Sequence, residues 1–209
     1  MNEHLEERRK MISDAFHSLN QPLTGLHCGL ELALQKPRTD EEYRLRIGNG
    51  LENAGVILQL IRAVRLLVDA ADPGERFGTV DLALVLSQLK GELEVVGEAL
   101  QVEVSVHGDA SCRVLADPTK LLAALGTLAD EQIRSADRGS RVQIEARAQD
   151  HNVVVTIRNS TVCANAEEGL ARKLSEIRCN AACCYLWSVE AEVEITGGGL
   201  IITLPLAAR

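Results

Sequence analysis

The apolar residues between Ile12 and Ala33 fix what the first part of this chain can become. Ile12, Phe16, Leu19, Leu23, Leu26, Leu30 and Ala33 recur in alternating steps of four and three, which aligns them along one seam of a long helix. That helix is predicted over about residues 3 to 35, and Lys36-Pro37-Arg38-Thr39-Asp40 ends it, with Thr39 or Asp40 placed to cap the next. The second helix is predicted over about 41 to 70. Its stripe of Ile47, Leu51, Ala54, Leu58, Ile61 and Val68 is widened by Ile57, Leu60, Val64 and Leu67, a face too broad for one partner helix to cover. Two such helices on a short loop form an antiparallel hairpin, and a second copy covers the remaining apolar surface most economically. The expectation is a four-helix bundle in a homodimer. Gly48, Gly50 and Gly55 each cost the second helix about 1 kcal/mol relative to alanine, unless they permit close packing.

The turn-forming run Asp72-Pro73-Gly74-Glu75-Arg76-Phe77-Gly78 carries no periodic pattern and marks a boundary. The predicted division is a helical hairpin over 1–71, a linker over 72–79 and a second domain over 80–209. In that second domain a helix capped by Asp81 repeats Leu82, Val85, Leu86, Leu89 and Leu93 to about residue 99. Short strands are predicted near 101–107, where Val102, Val104 and Val106 alternate, and near 112–116. Asp117-Pro118 opens a helix to about Ser135, since proline is tolerated in the first helical turn. Alternating strands follow near 141–148 and 152–159, then helical segments near 165–177 and 179–189. A last hairpin over 190–196 and 199–205 turns at Gly197-Gly198. The fold class is α+β: a helical hairpin followed by a sandwich of one mixed sheet with helices on one face.

Composition narrows the function. Of 209 residues 46% are hydrophobic and 25% charged, an ordinary globular balance. Aromatics are only 2% and the net charge is -8, which excludes a base-stacking surface and a basic face for nucleic acid. No apolar run is long enough to span a membrane, and the charged start MNEHLEERRK is unlike a signal peptide. A cytoplasmic protein is expected. The 6 cysteines form no CxxC pair, and Cys28, Cys112, Cys163, Cys179, Cys183 and Cys184 read as small buried hydrophobes, with no metal site.

One residue stands off the seam. His17, with Gln21 and Thr24 at i+4 and i+7, forms a polar strip on the helix flank, where an imidazole can meet a second protein. Pro22 removes the donor that the Ser18 carbonyl would otherwise receive, so a local bend is expected there. The run His17-Ser18-Leu19-Asn20-Gln21-Pro22-Leu23 resembles the phosphoacceptor motif of histidine kinases. A histidine-bearing hairpin followed by an α/β sandwich is similar to the whole catalytic core of that family, with its ATPase-type domain.

The resemblance fails at the nucleotide motifs. Where the family carries two asparagines that hold Mg²⁺ and phosphates, this chain has Thr127 and Glu131. The family's Asp-x-Gly-x-Gly is replaced by Asn159-Ser160-Thr161-Val162-Cys163, and its later glycine-rich loop by Arg178-Cys179-Asn180-Ala181-Ala182. Without those glycines, Cβ atoms crowd the place where backbone must approach phosphate. Glu131 could still ligate a metal. The acid that usually follows the histidine is Ser18 here, too weak a base to take the imidazole proton.

These departures make Thr127, Glu131 and Asn159 degenerate nucleotide-site positions. The resemblance then implies a histidine phosphotransferase in a two-component phosphorelay, with His17 as the acceptor. Its partners would be response-regulator receiver domains and an upstream hybrid or sensor kinase. Mg²⁺ would be supplied by the receiver, leaving this chain without a bound cofactor. Ser18, Asn20, Gln21 and Thr24 would form the contact surface, and Gln21 could orient a water for dephosphorylation. The alternatives are an active sensor kinase core with divergent ATP motifs, and a non-catalytic kinase-like dimer that sequesters a regulator.

Overall fold

The computed structural model describes residues 2–37, 39–71, 76–109, 112–161 and 170–207. Arg38, residues 72–75 of the expected linker, Val162-Cys163 and the start of the helix expected from 165 lie outside the described residues.

Helix α1 (Asn2–Leu34) and helix α2 (Asp40–Asp69) form the hairpin. Thr39 is the N-cap of α2: its side chain accepts from the Glu42 amide while the Glu42 carboxylate accepts from the Thr39 amide. This reciprocal pairing satisfies two donors that a helix start otherwise leaves orphaned. A Cβ on Gly50 would lie 3.3 Å from Leu26 Cδ1, so this glycine does allow α1 and α2 to approach closely. Gly48 and Gly55 have nothing within 4 Å and are not explained by packing.

Strand β1 (Gly78–Asp81) leads into α3 (Leu82–Leu100), β2 (Glu103–Gly108), β3 (Arg113–Ala116) and α4 (Pro118–Arg134). Strands β4 (Arg141–Gln149) and β5 (Asn152–Asn159), helix α5 (Leu170–Ser188), and strands β6 (Glu192–Thr196) and β7 (Gly199–Pro205) complete the chain. Asp81 and Asp117 cap α3 and α4 through their carboxylates. A five-stranded mixed sheet runs in the order β2-β4-β5-β7-β6, with β2 parallel to β4 and the other pairs antiparallel. Its inner face is built from cross-strand rows such as Ile144, Ile157 and Leu200, and Ala146, Val155 and Ile202. Fully burying each branched side chain contributes about 1.5–3 kcal/mol. Gly199 closes the last hairpin at φ 146, where a Cβ would meet the Ile157 carbonyl oxygen at 2.0 Å. Only glycine fits that crossing.

Three expectations need correction. The sheet is not single: β1 and β3 form a separate two-stranded antiparallel ribbon, and β1 begins within the stretch read as linker. The segments expected at 165–177 and 179–189 are one helix, α5, over its described length. Nothing between Ile177 and Ala182 breaks a helix once the glycines are gone, and two alanines there favour one. Cys28 is exposed rather than buried, because it points away from the flank that α1 turns toward α2.

Hairpin and sandwich share one apolar core. Ala15 of α1 and Leu60, Ala63, Leu66 and Leu67 of α2 belong to the same buried cluster as the residues of α3, α4 and the sheet. Helix α5 makes the join, packing against α2 and α4 and touching α1. It runs antiparallel to α1, with Cys184 Sγ 3.7 Å from Met11 Sδ and Lys173 reaching the level of His17 to Thr24. Farther along, the Tyr185 hydroxyl accepts from the Asp117 amide at 3.2 Å. Burial, the largest influence on it, pushes that phenol up to about 12.

Candidate functional site

The site begins with the pitch of α1. Ala15, Ser18 and Pro22 are buried on its inner edge, so His17, Asn20, Gln21 and Thr24 are left exposed. Ser18 is 5% exposed and donates its hydroxyl to the Asp14 carbonyl at 2.8 Å, the back-bond that tends to bend a helix. It therefore offers almost no surface to a partner. Helix α1 runs through Pro22 to Leu34 without interruption, so whatever bend arises there does not end it. An open groove of about 460 Å³ is lined by His17, Ser18, Asn20, Gln21, Thr24 and, from α5, Lys173.

The positions that the resemblance places at a nucleotide site are bonded to other groups of the chain. Glu131 accepts from Arg178 Nη1 at 2.5 Å and from the Ser175 hydroxyl at 2.6 Å. Asp130 pairs with Arg178 Nη2, and with Arg134 Nε at 2.8 Å. Burial alone would raise the Asp130 carboxyl, but hydrogen bonds from Arg134 and Arg178 outweigh it and hold the group below the usual carboxylate range. Arg178 is 8% exposed, and its Nη1 also lies 3.5 Å from Gln59 Oε1 on α2. Beside it, burial first and the Glu131 charge second push the Cys179 thiol up to about 12. Thr127 donates its hydroxyl to the Ala123 carbonyl at 2.8 Å. Asn159 accepts from the Thr161 amide at 3.1 Å, stapling a local turn, and its amide reaches the Gln132 carbonyl at 3.5 Å.

The structure thus brings Glu131 together with Asp130, Ser175 and Arg178, while Thr127 and Asn159 bond elsewhere. Residues 178–182, aligned by the resemblance with a phosphate-binding loop, are interior turns of α5. Their amides are committed to helical bonds and cannot cradle phosphate. Sequence reasoning missed Arg178, Asp130, Gln59 and Lys173. A signal for the first was present: a charged side chain flanked by Ile177, Ala181 and Ala182 on a core-facing helix requires a partner. Among the described residues, one group could hold a metal. His27, Cys28 and Glu31 bring ligand atoms within 4.8 Å of one another, all exposed, with His27 Nδ1 3.6 Å from Glu31.

No helix among the described residues is long and apolar enough to cross a membrane. No family model matches the chain. The sensor protein IrlS of Burkholderia pseudomallei is 32% identical over 141 residues, 66% of this chain and 30% of that protein. The sensor kinase PmrB of Pseudomonas aeruginosa is 26% identical over 159 residues, 75% of this chain and 33% of its own length. The chain spans about a third of the length of these curated relatives. Among solved structures, the Acinetobacter baumannii histidine kinase AdeS superposes with a TM-score of 0.69 at 14% identity, covering 92% of this chain and 98% of that one. Full-length ShkA, solved with AMPPNP, superposes at 0.62 with 16% identity over 98% of this chain and 47% of that one. Relatives that are sensor kinases, PmrB and the Escherichia coli sensor histidine kinase CusS, fit the kinase alternative better than the phosphotransferase reading. Sensor kinases recur among the relatives and a histidine kinase among the solved structures, and it is to such proteins that the chain is similar in sequence and in fold.

Proposed function

We propose that this chain carries phosphoryl groups between receiver domains through His17, using a kinase-core fold whose nucleotide site has been filled from within. The observation that carries this reading is the buried Arg178 bound to Asp130 and Glu131 inside an unbroken α5. A carboxylate whose charge is already met by a guanidinium, and whose two oxygens each accept a hydrogen bond, is a weakened ligand for Mg²⁺, and helical turns at 178–182 offer no phosphate cradle. ATP does not fit these residues.

Transfer from an aspartyl phosphate asks less of the protein. A lone pair of the neutral imidazole of His17 attacks phosphorus, the N–P bond forms as the P–O bond to the aspartate breaks, and the carboxylate leaves with that electron pair. The proton on the other ring nitrogen passes to solvent, and the reverse step hands the group to a second receiver. Mg²⁺ bound by the receiver, when present, would supply charge neutralisation for the moving group. Asn20, Gln21 and Thr24 form the contact surface, and Gln21 orients water for hydrolysis.

The second copy belongs to this reading too. Phe16, Leu23 and Leu30 on α1 and Ile47, Leu51, Leu58 and Ile61 on α2 are each more than half exposed in a single chain. A continuous apolar stripe of this length is what a hairpin presents to its twin. Leu58→Glu should therefore convert dimer to monomer in sedimentation, raising the dissociation constant at least about a hundredfold, because the twofold buries two unpaired carboxylates. A variant that sediments as wild type would overturn the dimer.

The kinase reading is favoured by one specific observation, that the curated relatives include sensor kinases. One experiment separates the two. The purified chain is incubated with Mg²⁺-ATP alone and, separately, with a phosphorylated receiver domain. Label only from the receiver is the expected result; label from ATP alone selects the kinase.

A further inference from the structure

The groove at His17 is not built by the hairpin alone. Its lining from α1 is His17, Ser18, Asn20, Gln21 and Thr24, none of them a permanent cation, and the remaining residue is Lys173 from α5. Phosphorylation would place a dianionic group here on a chain whose net charge is already -8. In such a field a single cation facing the group decides much of the local electrostatic balance.

Lys173 is held at this level by a rigid element. Helix α5 is pinned to α2 by Arg178 and Gln59, and to α1 by Cys184 and Met11, while Ala181, Ala182, Tyr185 and Leu186 anchor it in the core. Lys173 precedes Arg178 by five residues on the same helix, about 7.5 Å along its axis. The neighbouring cation, Arg172, is occupied by Glu176 at 2.9 Å. Lys173 has no ion pair among the described residues and remains exposed on the groove wall.

We infer that Lys173 is the phosphoryl-binding residue of the His17 groove, a cation donated by the C-terminal half of the chain to a phosphoryl group carried by the hairpin. The inference rests on His17 as the acceptor. It gives the sandwich a task that needs no nucleotide: α5 holds an ammonium where the transferred group arrives. Lysine suits this as a point charge that follows a moving group.

The test uses phosphoramidate, a small phosphoryl donor that labels histidine without any receiver, on the full chain, with His17→Ala subtracting label at other histidines. Lys173→Ala should slow labelling of His17 about fivefold, the upper range for an exposed ion pair. Lys173→Arg should restore the rate, Lys173→Glu should slow it further, and added salt should slow wild type more than Lys173→Ala. A Lys173→Ala chain labelled at the wild-type rate, with the wild-type salt response, would overturn the assignment. If wild type takes label from phosphoramidate with this lysine dependence but from no phosphorylated receiver, the relay reading falls and Lys173 keeps its role.

Discussion

Replacing His17 with alanine should abolish phosphoryl transfer from a phosphorylated receiver entirely, leaving no label on the chain, while stability changes by less than about 0.5 kcal/mol. The completeness follows from the groove. Its other side chains are two amides, two hydroxyls and an ammonium, and none is a nucleophile comparable to an imidazole near neutral pH. The Ser18 hydroxyl is also bound to the Asp14 carbonyl. The stability estimate follows from exposure: His17 lies outside the buried cluster, and surface substitutions rarely cost more. Phosphate-affinity gels of wild type and His17→Ala, each incubated with the same labelled receiver, read the result directly. Residual label on His17→Ala would move the acceptor to another residue, and His27 with its Glu31 neighbour would be the first to examine.

How far a linear reading reaches is visible in particular elements. The hairpin was legible because its forces are local: the repeat of apolar residues, and a capping residue at Thr39 or Asp40, of which the structure uses Thr39. The caps Asp81 and Asp117 were legible for the same reason. Strand β1 was not, since four residues with one buried side chain, Val80, carry no usable alternation. Its existence depends on β3, more than thirty residues away. His17 was singled out by its motif and helix flank, but nothing near Lys173 in sequence points to it. The continuity of α5 was obscured in the same way. The break expected between residues 177 and 179 falls on Arg178, whose partners lie 47, 48 and 119 residues away. Long-range pairing of a buried charge is invisible to periodicity, although the charge itself announces the need for a partner.

Arg178→Ala should cost about 3–5 kcal/mol, the penalty for leaving buried charges without their counterion, read as a fall in the urea midpoint with unchanged slope. Both carboxylates it serves are largely enclosed, with side-chain exposures of 15% for Asp130 and 13% for Glu131. Among the described residues, Glu131 would keep the Ser175 hydroxyl and Asp130 would keep Arg134. The pH dependence has a definite sign. In the wild type the Asp130 carboxyl is held down against burial by Arg134 and Arg178, so its contribution is present above the unfolded carboxylate value of about 3.9 and is lost as pH falls through the lower folded value. Without Arg178 the desolvation remains and part of its opposition is gone. Acid unfolding of Arg178→Ala should then begin at a higher pH than that of wild type, followed by circular dichroism. Exchanging both ends of the Glu131 pair for methionine should recover the share of the lost stability that belongs to Glu131, because apolar side chains of similar volume replace a buried ion pair at little cost, while Asp130 still lacks Arg178. A single Arg178→Ala variant as stable as wild type would mean that the cluster is not the clamp between α4 and α5. Nor should any of these variants gain ATP binding, measured as nucleotide-dependent stabilisation. Removing the guanidinium empties the space, but residues 178–182 are still helix, and their amides still point along its axis to carbonyls of the preceding turn.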